Sequence, residues 1–130
     1  MILPRLAGAL GPLLLAAAKG RLRDDLTPAS FRSAAVGIVL AAEGYPGAPR
    51  RGELIAGIED ARSMGSLVFH SGTAATTAGW VTNGGRVLTV VNVGTDLDDA
   101  ATAADRGANQ ISWPGMQRRH DIAMAVGSLA

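Results

Sequence analysis

The apolar positions fall into short runs separated by glycine-rich or polar punctuation. Ala34–Ala42 is the longest strand-like run, with Val36, Ile38, Val39 and Leu40 nearly consecutive, which predicts a strand buried on both faces. Gly44-Tyr45-Pro46-Gly47 ends it with turn chemistry. Glu53–Gly57 is a short strand candidate, Glu59–Met64 a single helical turn, and Leu67–Phe69 another strand ending at His70. Trp80–Thr82 and Arg86–Val93 flank Asn83-Gly84-Gly85. Asn and Gly accept positive φ, so this arrangement predicts a β-hairpin.

Helical spacing marks two further segments. Leu10, Leu13, Leu14 and Ala17 share one helix face. Pro12 interrupts that pattern, and a proline inside a helix costs about 3 kcal/mol, so the regular helix is expected to start near Pro12 with Gly11 just before it. Gly20 is placed to stop it as a C-terminal cap. Further on, Thr95 and Asp98 form a capping-type pair, followed by a face of Leu97, Ala101, Ala104, Ala108 and Ile111 that Trp113-Pro114-Gly115 terminates. Short strands with one early and one late helix predict an α+β fold, a small β-rich domain of mostly antiparallel strands. Arg21–Ser33, polar and containing Pro28, reads as a connector. It divides the chain into a terminal helix and connector over 1–33 and a β-rich domain over 34–130.

Composition narrows the function classes. A chain of 130 residues holds one core, and with 48% hydrophobic but only 4% aromatic residues that core is built from Val, Leu, Ile and Ala. A net charge of +1, with Arg118-Arg119-His120 as the densest basic group, gives no electrostatic footprint for nucleic acid or a membrane surface. Zero cysteines exclude disulfides and thiolate metal sites, in keeping with a cytoplasmic protein. Met1–Lys19 has the outline of a secretory signal: an early Arg, an apolar stretch and small residues at its end. Gly11-Pro12 breaks that stretch, and we read a helix there. No stretch reaches the roughly 20 apolar residues of a membrane span.

Four motifs in order, Ala35–Gly47 (AVGIVLAAEGYPG), Phe69-His70-Ser71-Gly72-Thr73, Thr82–Leu88 (TNGGRVL) and Trp113-Pro114-Gly115-Met116, resemble the C-terminal domain of phosphoribosylamine–glycine ligases, ATP-grasp enzymes of purine biosynthesis. The resemblance runs from about Leu3 to Ile122 and implies a fold like the rudimentary single hybrid motif. It also implies a reaction. ATP phosphorylates the carboxylate of glycine, and the amine of 5-phosphoribosylamine then attacks the acyl phosphate. Magnesium screens the phosphates in such chemistry. In the family the ATP and magnesium ligands belong to the ATP-grasp part, which the resemblance places before residue 1. It therefore implies no catalytic residue and no metal ligand in this chain, and residues 1–33 would belong to the end of the ATP-grasp domain. The expected role of the rest is a wall over the substrates.

Arg86 is the foremost candidate for that wall. A guanidinium offers a planar fork to phosphate oxygens, and the bare backbone of Asn83, Gly84 and Gly85 would let amide N–H groups approach an anion. The resemblance implies a contact with the 5-phosphate of phosphoribosylamine; the residues alone allow an ordinary surface arginine beside a turn. Tyr45 and Gly47 would shape the substrate-facing edge, although Tyr-Pro-Gly also makes a plain β-turn. His70 and Thr73 would stand beside the site, and a histidine ending a strand is commonly structural. Arg119 and Asp121 read as a salt-bridged clamp on the tail. Three functions fit the chain: part of such a ligase, a stand-alone phosphate-binding module without ligase activity, or a small secreted β protein.

Overall fold

The structure, a computed structural model, describes residues 2–6, 8–23 and 33–123. Its centre is a three-stranded antiparallel sheet ordered β1 (Ala34–Ala41), β5 (Arg86–Gly94), β2 (Leu67–His70). Strands β3 (Thr73–Thr76) and β4 (Gly79–Thr82) form a separate two-stranded antiparallel sheet. A one-turn 3-10 helix at Leu3–Arg5 and helix α1 (Leu10–Ala18) precede the sheets, α2 (Ile58–Ser63) leads into β2, and α3 (Leu97–Ala108) follows β5. The mostly antiparallel α+β architecture is the expected one.

One sheet face carries the core. Leu40 pairs with Leu88, Ile38 with Val90 and Val36 with Asn92, all buried. Against them lie Ala100, Ala104 and Ala108 of α3, whose small side chains let helix and sheet approach closely. The opposite face carries Val39, Thr89, Val91, Val93, Leu67 and Phe69. Val39 is 41% exposed and Phe69 49%. So β1 is buried on one face and only partly covered on the other, where Val39 is exposed and Ala35 and Gly37 are half-buried, rather than buried on both. It is an edge strand, packed chiefly against α3.

The expected hairpin across Asn83-Gly84-Gly85 does not form. β4 pairs with β3, and β5 with β1 and β2, so these three residues cross from one sheet to the other. None of the three has a positive φ. Close packing explains the composition instead. A Cβ on Gly72 would sit 2.7 Å from the carbonyl oxygen of Arg86 and 2.8 Å from Cα of Gly84, so both glycines are needed where two backbones touch. Asn83 N–H donates to the Gly72 carbonyl at 2.8 Å across the same contact. Residues 53–56 run extended but make only single bridges, Leu54 to Val81 and Ala56 to Ser112, and Gly57, at φ +81°, caps α2 instead of continuing the strand.

The helix ends lie near their sequence signals, although α1 starts two residues before Pro12 and includes Gly11. α1 begins at Leu10, so Pro12 falls in its first turn, where backbone N–H groups lack intrahelical partners in any case. Gly20 at φ +61° stops it: Gly20 N–H donates to the Ala17 carbonyl and Arg21 N–H to that of Ala16, a Schellman motif. No residue of α1 is buried, and Leu14 is 59% exposed. In α3 the cap lies one residue later than expected. Asp96 accepts from Asp99 N–H at 2.8 Å, while Asp99 reaches back to Thr95 N–H at 3.0 Å.

Candidate functional site

The register of β5 decides where Arg86 points. Leu40 pairs with Leu88, but Ala41 pairs with Arg86, so Val87 is an extra residue at a β-bulge. In uninterrupted alternation Arg86 would follow Leu88 and Val90 into the core. The bulge lets Val87 and Leu88 both pack inward, each fully buried, and turns Arg86 out beside Ala41. The guanidinium thereby joins Val39 and Thr89 on the open sheet face.

Two adjoining hollows meet at Arg86, Tyr45 and Val39. One, of about 500 Å³, is completed by Ser71, Gly72, Gly85 and Thr89. The other, of about 420 Å³, is completed by Ala41 and the segment Gln117–Arg119. Tyr45 stands between the turn and the sheet because Gly85 has no side chain: a Cβ there would collide with the Tyr45 ring. Arg86 is exposed, and its side chain has no hydrogen-bond or ion-pair partner among the described residues. A cation with all five N–H groups available beside apolar and backbone surface is suited to an oxyanion.

Of the residues the sequence singled out, Tyr45, Gly85 and Arg86 come together at these hollows. Asn83 and Gly84 lie just behind, at the Gly72 contact, and Gly47 stays within the turn against Gly44. His70 and Thr73 form a cluster of their own. Arg62 Nη2 donates to His70 Nε2 at 3.4 Å, since a guanidinium only donates. The ring proton therefore sits on Nδ1 and is donated to Thr73 Oγ1 at 2.9 Å. The ring also packs on Trp80 with centroids 4.4 Å apart. Burial and the nearby Arg62 charge push the His70 pKa below its ordinary value, against an opposing pull from Glu59. The histidine thus ties β2, β4 and α2 together.

Ser71, Gly72, Thr89, Gln117 and Arg119 also line the hollows, and sequence reasoning did not place them there. Gln117 arrives through an isolated bridge: its N–H donates to the Ala41 carbonyl and Ala41 N–H donates back, both at 2.8 Å. Arg119 and Asp121 pair with each other through two hydrogen bonds of 2.8 and 2.6 Å, so the pair closes on itself rather than clamping the tail to another element. Among the described residues no three His, Asp or Glu side chains converge as metal ligands, and no helix is long and apolar enough to cross a membrane.

The chain is thus a small, β-rich domain of α+β class with an arginine-lined hollow on one sheet face. Residues 35–125 match the family described as phosphoribosylglycinamide synthetase, C domain, and the chain belongs to that family. It is 45% identical over 123 residues to the phosphoribosylamine–glycine ligase of Neisseria meningitidis serogroup B, covering 94% of this chain and 29% of that protein. The chloroplastic phosphoribosylamine–glycine ligase of Arabidopsis thaliana is 42% identical over 125 residues, again 94% of this chain but 23% of that one. The crystal structure of phosphoribosylamine–glycine ligase from Thermotoga maritima superimposes with a TM-score of 0.73 at 34% identity, over 85% of this chain and 26% of that one. The chain thus spans less than a third of the length of these relatives.

Proposed function

We propose that this chain is the C-terminal portion of a phosphoribosylamine–glycine ligase and supplies the wall that holds 5-phosphoribosylamine while glycine is joined to it. The names of the relatives support the reaction. The observation that carries the role is the bulge at Val87, which turns a partner-free Arg86 onto an open face beside two hollows. A bulge that re-aims a charged side chain out of a core is a device found beside active sites. Residues 34–130 form this wall, in keeping with a family match that begins at residue 35, and residues 1–33 belong to the end of the ATP-grasp domain.

The chemistry divides accordingly. Glycine's carboxylate needs a better leaving group than oxide, which ATP with magnesium supplies as an acyl phosphate. Those steps belong to the ATP-grasp part of the enzyme. Arg86 binds and orients: it fixes the ribose phosphate so that the amine meets the activated carbonyl at the right distance. Tyr45, packed on Gly85, bounds the space beside it.

In the complete enzyme, Arg86→Ala removes a charge-assisted contact and should raise KM for phosphoribosylamine by about ten- to a hundredfold. KM for ATP should barely move. Equal loss for both substrates, or for neither, overturns the assignment.

A further inference from the structure

We propose that Arg119, with Gln117, forms the opposite wall of the same phosphate site, so that a phosphate monoester lies on the floor of Ala41 and Val39 between two guanidinium groups. This rests on the assignment of Arg86 to the ribose phosphate and names the second cation.

The cross-strand order carries the inference. Arg86 pairs with Ala41 on one side of β1, and Gln117 bridges Ala41 on the other, so the three lie abreast with the smallest side chain in the middle. Adjacent strands are about 4.8 Å apart, which puts the outer two backbones roughly 10 Å from each other. Side chains alternate along the Gln117–Arg119 segment. All three border the hollow, but Gln117 and Arg119 are exposed, whereas the Arg118 side chain, 5% exposed, pairs with Asp105 of α3 at 3.1 Å and donates to Asn109 at its end at 2.6 Å. Arg118 therefore anchors the segment while its neighbours face the open side.

Asp121 engages Arg119 through Nε and Nη2, which fixes the plane of the fork and leaves Nη1 for a ligand. A phosphate monoester suits this arrangement better than a carboxylate. It presents three terminal oxygens and close to two negative charges, enough to engage cations on both sides.

Ribose 5-phosphate titrated into this chain, followed by NMR shifts of the amides of residues 39–45, 85–89 and 117–119, tests the site. Arg86→Ala should weaken binding by about ten- to a hundredfold. Arg119→Ala, whose charge Asp121 partly offsets, should weaken it by about three- to tenfold, and Arg119→Lys by less. Arg51→Ala controls for loss of one surface charge. Arg119 is 74% exposed, so unchanged melting of Arg119→Ala will show that the fold is intact. Weakening by Arg86→Ala alone overturns the second cation and leaves the first assignment standing. No binding by the unaltered chain, or equal weakening by Arg51→Ala, overturns both.

Discussion

Gly72→Ala tests whether the contact between Gly72 and Gly84 holds Arg86 in place. An added Cβ would stand 2.7 Å from the Arg86 carbonyl oxygen, 2.8 Å from Cα of Gly84 and 3.1 Å from its N. All three neighbours are backbone, so no flexible side chain can move aside. Gly72 is also tied on both sides, its N–H donating to the Val87 carbonyl at 3.1 Å and its carbonyl accepting from Asn83 N–H. Relief requires the start of β5 to shift away from the end of β2. Such overpacking costs about 1–3 kcal/mol, or more where the neighbours are rigid. For a domain of this size each kcal/mol lowers Tm by about 4–8 °C, so a loss of about 5–20 °C is expected in a calorimetric melt. Ribose 5-phosphate binding should fall as well, because the shift moves the backbone that carries Arg86. Gly65→Ala is the comparison: Gly65 has φ +85° but open space around it, so it reports backbone strain without a clash and should leave binding intact. A Gly72→Ala protein that melts within about 2 °C of the unaltered chain and binds equally well would refute the reasoning, since a 1 kcal/mol cost would already exceed that.

Two further expectations follow from hydrogen bonds. Asp96→Ala removes the cap of α3 and should cost about 1 kcal/mol, read from denaturant unfolding, while Asp96→Asn should restore most of it. His70 has a folded pKa below its unfolded value, so the unfolded chain takes up the proton first as pH falls. The stability it contributes is present above its ordinary pKa of about 6.5 and declines as pH drops through that value toward the lower folded one. Comparing Tm from pH 8 to pH 5 with that of His70→Gln checks this: the variant should lose the part of the slope that belongs to His70, and an identical slope would contradict it.

Much of the local structure was legible because single residues dictate it. Gly20 ends α1, turn residues follow β1, and the apolar runs locate β1, β2 and β5. Pairing was not legible. Asn83-Gly84-Gly85 carries hairpin chemistry, yet the same small residues serve where two backbones touch, and sequence does not distinguish the two uses. β3, Thr-Ala-Ala-Thr, has too little apolar character to register as a strand. The bulge was hidden for the opposite reason: Arg86–Val93 is apolar on both parities, so a one-residue slip leaves no trace in the pattern. Arg86 and Tyr45 could be found as a cation beside glycines and an aromatic turn. Gln117 and Arg119 enter through a single bridge between segments far apart in sequence, which no local motif announces.

The strand order β1-β5-β2 has a kinetic consequence. The central strand is the last of the three to be synthesised, and neither of its partners is its neighbour in the chain. Leu40 must wait for Leu88, and Val68 for Val90, before the sheet exists at all. Closing those long loops consumes chain entropy before any pairing rewards it. Only β3 and β4 can pair locally, and they lie outside the main sheet. During synthesis the apolar run of β1 therefore stays without its partner until β5 has emerged, which makes this interval the one in which the nascent chain is most exposed to aggregation.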